Sequence, residues 1–149
     1  YEITEIAHFA ARIVVPESVS DPLGYYFNNT VKTRALIESA ARRGVKHVIF
    51  SSTAAVYGEP PVSPVPEEIA LNPINPYGRS KLAAELGLET LDLDWVALRP
   101  VLIYGPGVKA NMAALLRLAR LPVPLPLGGL EAPRSLLAVE NIADAIRLR

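Results

Sequence analysis

Three short apolar runs are separated by stretches that carry helix punctuation, and this alternation constrains the chain more than any other feature. The runs are Glu2–Ala11, Val45–Phe50 and Asp94–Leu98. Each has the length of a strand, and each is followed by start and stop signals of a helix. Asp21-Pro22 opens the first helix, since aspartate caps and proline fits the first helical position. That helix is expected to run to Arg43, with Gly44 at its end. Asn75-Pro76 opens a second, reaching about Leu91. Further on, Lys109 to Arg120 reads as an amphipathic helix, Ser135 to Val139 as an extended piece and Glu140 to Arg149 as a last helix. Between Ala54 and Asn75, five prolines (Pro60, Pro61, Pro64, Pro66 and Pro73) exclude helix and central strand. Strands alternating with helices imply parallel pairing through helical crossovers. The expected fold is therefore α/β, a three-layer parallel sheet whose ligands bind at the carboxyl ends of the strands.

Composition narrows the classes of function. The 149 residues suffice for one domain with a core, and 50% hydrophobic against 20% charged residues fits a globular chain. Net charge is zero, with no basic stripe for nucleic acid and no polybasic segment for a membrane surface. No apolar run reaches the ~18 residues of a spanning helix, and no signal peptide opens the chain. Without cysteine there is neither disulfide nor thiol chemistry, and the two histidines, His8 and His47, stand too far apart in sequence to suggest a metal site. These features fit a cytoplasmic protein.

Chemistry gathers where the strands end. Ser51-Ser52-Thr53 closes the second run, and Tyr77-Gly-Arg-Ser-Lys81 lies in the first turns of the next helix. Residues four apart share a helical face, so Tyr77 and Lys81 can address one object. A phenol has an ordinary pKa of about 10, and a neighbouring cation favours its ionised form. The pair can thus supply a base near neutral pH, as oxidation of an alcohol requires. By itself Tyr-x-x-x-Lys is an exposed pair on any helix; the serine/threonine cluster and the placement of Tyr77 in the first turn give it weight. Asn28-Asn29-Thr30 sits inside the first helix, where asparagine is a mediocre former, so the side chains are either exposed or serve as polar anchors under a cofactor or the strand ends. His8-Phe9-Ala10-Ala11 ends a strand with small residues, which suits tight helix packing or close approach to a nucleotide. Lys109, Asn111 and Arg134 suit phosphates near helix starts, but as isolated residues they read more readily as surface groups.

Six segments together resemble the extended short-chain dehydrogenase/reductases, in particular the NAD-dependent nucleotide-sugar epimerase/dehydratase group. They are HFAA (8–11), YYFNNT (25–30), GVKHVIFSSTAAVYG (44–58), NPYGRSK (75–81), LRPVLIYGPG (98–107) and RSLLAVENIADAI (134–146). The likeness is greatest to UDP-sugar 4-epimerases, and GPGVKAN and PLPLGG resemble the branch serving polysaccharide synthesis. The resemblance implies a Rossmann-like fold, NAD as cofactor and a UDP-sugar as substrate. It implies Tyr77 as acid and base, Lys81 as its tuner and ribose ligand, and Thr53 as the group bonding the sugar hydroxyl. Phe9, Ala10, Ala11, Asn29, Ser51 and Ser52 would contact the cofactor, and Asn111 and Arg134 the nucleotide diphosphate. No metal is implied. The helices from Pro22 to Arg43 and from Pro76 to Leu91 would form a homodimer interface. The implied reaction is epimerisation at C4 through a 4-keto intermediate.

The chain departs from the pattern twice. The group's Gly-x-x-Gly-x-x-Gly turn, which seats a pyrophosphate on a helix start, is absent with its first βαβ unit. Residues 1–149 are accordingly expected to be a partial NAD-binding Rossmann-like domain, an internal fragment that includes the start of the substrate-binding lobe. Second, Ala54-Ala55 stands where related 4,6-dehydratases carry acidic residues, which favours epimerase over dehydratase. A dehydratase, decarboxylase or reductase on the same scaffold, and a non-catalytic nucleotide-binding relative, are the alternatives. This polypeptide alone is expected to bind NAD weakly and turn over little; calorimetric titration measures this, and micromolar affinity would contradict it.

Overall fold

The computed structural model describes residues 2–108, 110–124 and 134–148. The chain divides into two compact units, Tyr1–Pro100 and Val101–Arg149.

In the first unit, β1 (Glu5–His8), β2 (His47–Ser51) and β3 (Asp94–Leu98) lie side by side in that order, all parallel. Parallel neighbours need crossovers. The first contains α1 (Val15–Ser20), α2 (Pro22–Tyr26), a π-helical turn (Phe27–Val31) and α3 (Lys32–Ala41). The second contains a 3-10 turn (Ala54–Tyr57) and α4 (Pro76–Leu88). Crossovers of one hand into successive neighbours put their helices on one face of a sheet. Accordingly, Ile37 of α3 and Ala84 and Leu88 of α4 share a core with Val45, Val48 and Phe50. Val48 and Phe50 point to that face because alternate residues of a strand do. Ile37, Phe50 and Leu88 are each at most 2% exposed, and burying such side chains contributes about 1.5–3 kcal/mol apiece. The register aligns His8, Phe50 and Ala97 across the sheet near its carboxyl end.

The α/β class and parallel strands are as expected; the element bounds differ in instructive places. β1 is shorter than Glu2–Ala11. The Thr4 carbonyl already receives the Lys46 and His47 N–H groups (2.9 and 3.2 Å), so pairing starts only there. Beyond His8 the chain leaves the sheet for a loop in which Asn29 takes the Arg12 N–H. β2 starts at His47 because the Val45 N–H still bonds the Ala40 carbonyl at the helix exit (3.2 Å). α1 has no counterpart in the sequence reading, since Ile13-Val14-Val15 looks extended, yet Pro16 starts a helix in its first turn. The first long helix is interrupted by its π turn and ends at Ala41, with Gly44 (φ +94°) after it. α4 ends at Leu88, short of Leu91.

In the second unit, β4 (Leu102–Tyr104) pairs in parallel with β5 (Leu136–Ala138). α5 (Ala110–Ala119) lies between them in sequence, and α6 (Val139–Arg147) follows β5 directly, with Ile142 buried. The sequence reading has no strand at Leu102–Tyr104. Among the described residues, no helix is long and apolar enough to cross a membrane.

Two glycines hold the approach to α4. Gly58 has φ +68°, and a Cβ there would lie 2.0 Å from the Asn72 carbonyl oxygen. At Gly78, in the first turn of α4, a Cβ would meet the Ala55 carbonyl oxygen at 2.7 Å and Pro73 Cβ at 2.9 Å. Gly87, in the last turn, faces open space. Alanine favours a helix over glycine by about 1 kcal/mol, whereas overpacking against fixed backbone costs about 1–3 kcal/mol. Gly87→Ala is expected to raise, and Gly78→Ala to lower, the urea midpoint; a stabilising Gly78→Ala would refute the close contact.

Candidate functional site

Asn75 and Pro76 fix where α4 begins. The Asn75 side-chain oxygen accepts the Gly78 N–H at 2.8 Å, and Pro76 occupies the first turn. From there Tyr77, Lys81, Ala84, Glu85 and Leu88 are buried along one stripe facing the sheet. Tyr77 and Lys81 therefore share a face, as their spacing predicts.

Lys81 is 2% exposed. Its ammonium donates to the Ser51 carbonyl at the end of β2 and stands 4.7 Å from the centroid of the Phe50 ring. On the same ring stacks His8, 6.0 Å between centroids and 19° between planes, with its Nε2 3.0 Å from Thr33 Oγ1. Burial draws the lysine pKa down from 10.5 to about 8, and the Glu85 carboxylate works against that fall. His8 is also held below its ordinary value, by burial first and then by the Lys81 charge.

Tyr77 is 9% exposed and meets Tyr25 edge to face, 6.5 Å between centroids at 87°. Burial pushes its phenol above the ordinary value, while the neighbouring Thr53 side chain pulls the other way. Thr53 Oγ1 also accepts the Ala55 N–H at 3.2 Å, which caps the 3-10 turn and orients the threonine. Burial and Thr53 are the influences on the phenol in this chain. Within this chain the ammonium is turned onto Ser51 and Phe50, and desolvation dominates at Tyr77.

A hydrogen-bonded path locks α4 to the first crossover. Asn29, 1% exposed, accepts the Arg12 N–H (2.9 Å) and donates to the Arg12 carbonyl (2.9 Å), so its amide clamps the loop after β1. The same Nδ2 donates to Ser80 Oγ (3.1 Å), and Ser80 donates to the Tyr77 carbonyl (2.8 Å). Thr30 donates to the Ser80 carbonyl (2.7 Å). The π turn makes this possible by bringing Asn29 and Thr30 onto the α4 side. Farther along the helix, Glu85, 2% exposed, receives Nε and Nη2 of Arg99 (2.7 Å at the shortest), and Arg99 Nη1 bonds the Tyr57 hydroxyl (3.2 Å).

The structure thus brings several expected residues to the carboxyl end of the sheet. Phe9, Ala10 and Ala11 follow β1, with Phe9 46% exposed. Ser51 ends β2, Ser52 Oγ is buried without a partner, and Thr53 meets Tyr77. Asn29 stands beneath this group with its amide engaged by protein. Arg134 is exposed just ahead of β5 in the second unit, while Lys109 and the Asn111 side chain lie outside the described residues. Sequence reasoning put His8 and Arg99 at strand ends without naming their partners, and it gave no role to Ser80 or Glu85. Only Glu85 left a legible signal, a lone charge in an apolar helix (LAAELGL) four residues after Lys81. An open hollow of about 510 Å³ beside Ile3, Ile6, Ala40 and Val45 lies toward the amino ends of the strands, away from this chemistry.

A base whose pKa falls on folding binds fewer protons folded than unfolded between the two values. Stability then rises with pH from about 8 to 10.5. The Lys81 contribution is expected to improve by about 2 kcal/mol between pH 7.5 and 9.5. Urea unfolding at the two pH values measures it, and Lys81→Met should lack the gain; equal slopes in both proteins would exclude a depressed lysine.

A model of the "NAD dependent epimerase/dehydratase family" matches residues 1–148. A UDP-glucose 4-epimerase of Azospirillum brasilense is 51% identical over 85 residues, covering 57% of this chain and 24% of that protein. One of Vibrio cholerae is 39% identical over 152 residues, covering 96% of this chain and 46% of that protein. Among solved structures, a UDP-N-acetylglucosamine 4-epimerase from Methanobrevibacter ruminantium M1, in complex with UDP-N-acetylmuramic acid, superposes with a TM-score of 0.82 at 35% identity. That superposition covers 97% of this chain and 50% of that one, and the chain spans half or less of the length of each of these three relatives. With a Rossmann-like α/β fold and this match along its length, the chain belongs to the NAD-dependent epimerase/dehydratase family.

Proposed function

We propose that the whole protein interconverts nucleotide sugars at C4, through a 4-keto intermediate, with NAD as its cofactor and a UDP-sugar as its substrate. The observation that carries this reading is the buried stripe of α4, which sets Tyr77 beside Thr53 and Lys81 on the end of β2. The UDP-sugar 4-epimerases among the relatives support the substrate class.

The residues present fit NAD. Lys81 has one bonded acceptor and two further N–H groups for vicinal ribose hydroxyls. Ser52 Oγ is buried and unpartnered, and Phe9 to Ala11 leave an open strand end. When bound, NAD supplies the hydride acceptor and donor that carry C4 to the ketone and back. Tyr77 takes the proton of the C4 hydroxyl and returns it to the C4 oxygen. Thr53 holds that hydroxyl within reach of the phenol. Lys81 stands one turn along with a positive charge that favours the phenolate once its partners rearrange around ligand. The phenol is held up by burial in this chain, so its acidity depends on the charges brought to it. We assign Arg134 and Asn111 to the nucleotide diphosphate, and we read residues 1–149 as part of the cofactor domain with the start of a substrate lobe.

A dehydratase is the second reading, and Ala54-Ala55 argues against it. Both alanines lie in the 3-10 turn beside Thr53, where neither side chain can transfer a proton. Incubating the whole protein with UDP-glucose or UDP-N-acetylglucosamine separates the two, by an epimer or by a 4-keto product. Tyr77→Phe is expected to lower kcat by about 10²–10⁴ with substrate binding kept; an unchanged kcat would leave a non-catalytic nucleotide-binding role.

A further inference from the structure

The group least expected beside Lys81 is a second buried charge on the same helix. Glu85 follows Lys81 by four residues, so the two side chains are neighbours on one face. Both residues are 2% exposed, whereas the Arg99 side chain is 25% exposed. The carboxylate end of the Glu85–Arg99 pair therefore lies inward, and its guanidinium end lies toward solvent. Arg99 Nε reaches both carboxylate oxygens (3.3 and 3.2 Å) and Nη2 takes one of them at 2.7 Å, a planar clamp that fixes the carboxylate. Tyr57 holds the far side of the guanidinium, by its hydroxyl and by its ring, 5.3 Å from ring centroid to Arg99 Cζ.

The other groups around Lys81 offer it no full negative charge. From β2 come the Ser51 carbonyl and the Phe50 ring; from β1 comes His8, which would add positive charge if protonated; from α4 itself, besides Glu85, comes Tyr77. An ammonium buried with only a carbonyl and a ring tends to lose its proton. A carboxylate at this range and in this low-dielectric setting opposes that loss without touching the ammonium.

We infer that Glu85 is the fixed counter-charge that keeps Lys81 an ammonium in its buried position, and that Arg99 holds this carboxylate ionised and in place. Glu85 is thus a positioning residue acting through Lys81. Its importance for turnover rests on the role proposed for Lys81, but its effect on Lys81 does not. An isolated buried Arg–Glu pair contributes little net stability and can often be replaced by apolar residues. The location of this one, with its negative end one helical turn from Lys81, gives it a task beyond stability.

The test is titration of Lys81 by NMR of lysine labelled with ¹³C at Cε. The chain has four lysines, so Lys81→Arg assigns the signal. The native midpoint is expected near 8. Glu85→Gln should lower it by about one pH unit, a tenfold loss of proton affinity. Glu85→Asp, which also disturbs packing but keeps the charge, should restore the midpoint to within a few tenths. Should Glu85→Gln fail to fold, the double variant Glu85→Met/Arg99→Leu removes the pair without orphaning a partner, and should show the same fall. An unmoved midpoint in the charge-removing variants, or an aspartate variant that falls as far as the glutamine one, overturns the inference. The titration needs neither sugar nor cofactor. A lysine that responds as expected in a protein without epimerase activity would refute the proposed function alone, and active protein with an unresponsive lysine would refute this inference alone.

Discussion

Everything distinctive about the first unit follows from burying one ammonium. Lys81 lies under the sheet end with almost no water, and a charge in that position persists only if the protein replaces its hydration. The replacements come from different elements: a carbonyl and a ring from β2, and a carboxylate from α4 itself. Each constrains its donor. Phe50 must lie flat beneath the nitrogen, Ser51 must end its strand with its carbonyl turned toward α4, and α4 must begin where Asn75 and Pro76 begin it. The same solvent exclusion that draws the lysine down also raises the Tyr77 phenol, so burial moves the two pKa values apart.

Precision at the site comes from a second network, made of neutral groups. Asn29 holds both backbone polar groups of Arg12 and passes a hydrogen bond to Ser80, which bonds the Tyr77 carbonyl. The loop after β1 and the helix bearing Tyr77 are thus fixed to one another through two small buried side chains. Charge cannot easily do this job so close to Lys81, because a further cation or anion there would shift the lysine again. Neutral amide and hydroxyl groups position without adding a field.

Much of this was legible in the sequence and some was not, for physical reasons. The strand at Asp94–Leu98 and the start of α4 were clear because their signals are local: a short apolar run, and an Asn-Pro cap. The ends of β1 and β2 were not, because a strand's limits depend on where its neighbour offers a bond. The shared face of Tyr77 and Lys81 follows from helical periodicity alone. The direction of the tyrosine's pKa does not, since it depends on how much water α4 and Tyr25 exclude. Asn28-Asn29 was visible as an oddity within a helix, but the partner of Asn29 lies 51 residues away at Ser80. Glu85 was readable as a misplaced charge, yet only the fold supplies Arg99 from the end of β3.

The π turn at Phe27–Val31 has a consequence for how this segment can change over time. A π turn holds one residue more than the α-helix needs, and each α-helical residue turns the chain by about 100°. Losing a single residue there would close the segment to plain α-helix with its two flanks still in phase. Ile37 would keep its place in the core, but the bulge that carries Asn29 to Ser80 would be lost. The spacing between Asp21 and Ile37 is therefore fixed in number even where the identity of the exposed residues is free. In this stretch a one-codon deletion does more harm than most single substitutions, and length becomes the inherited trait.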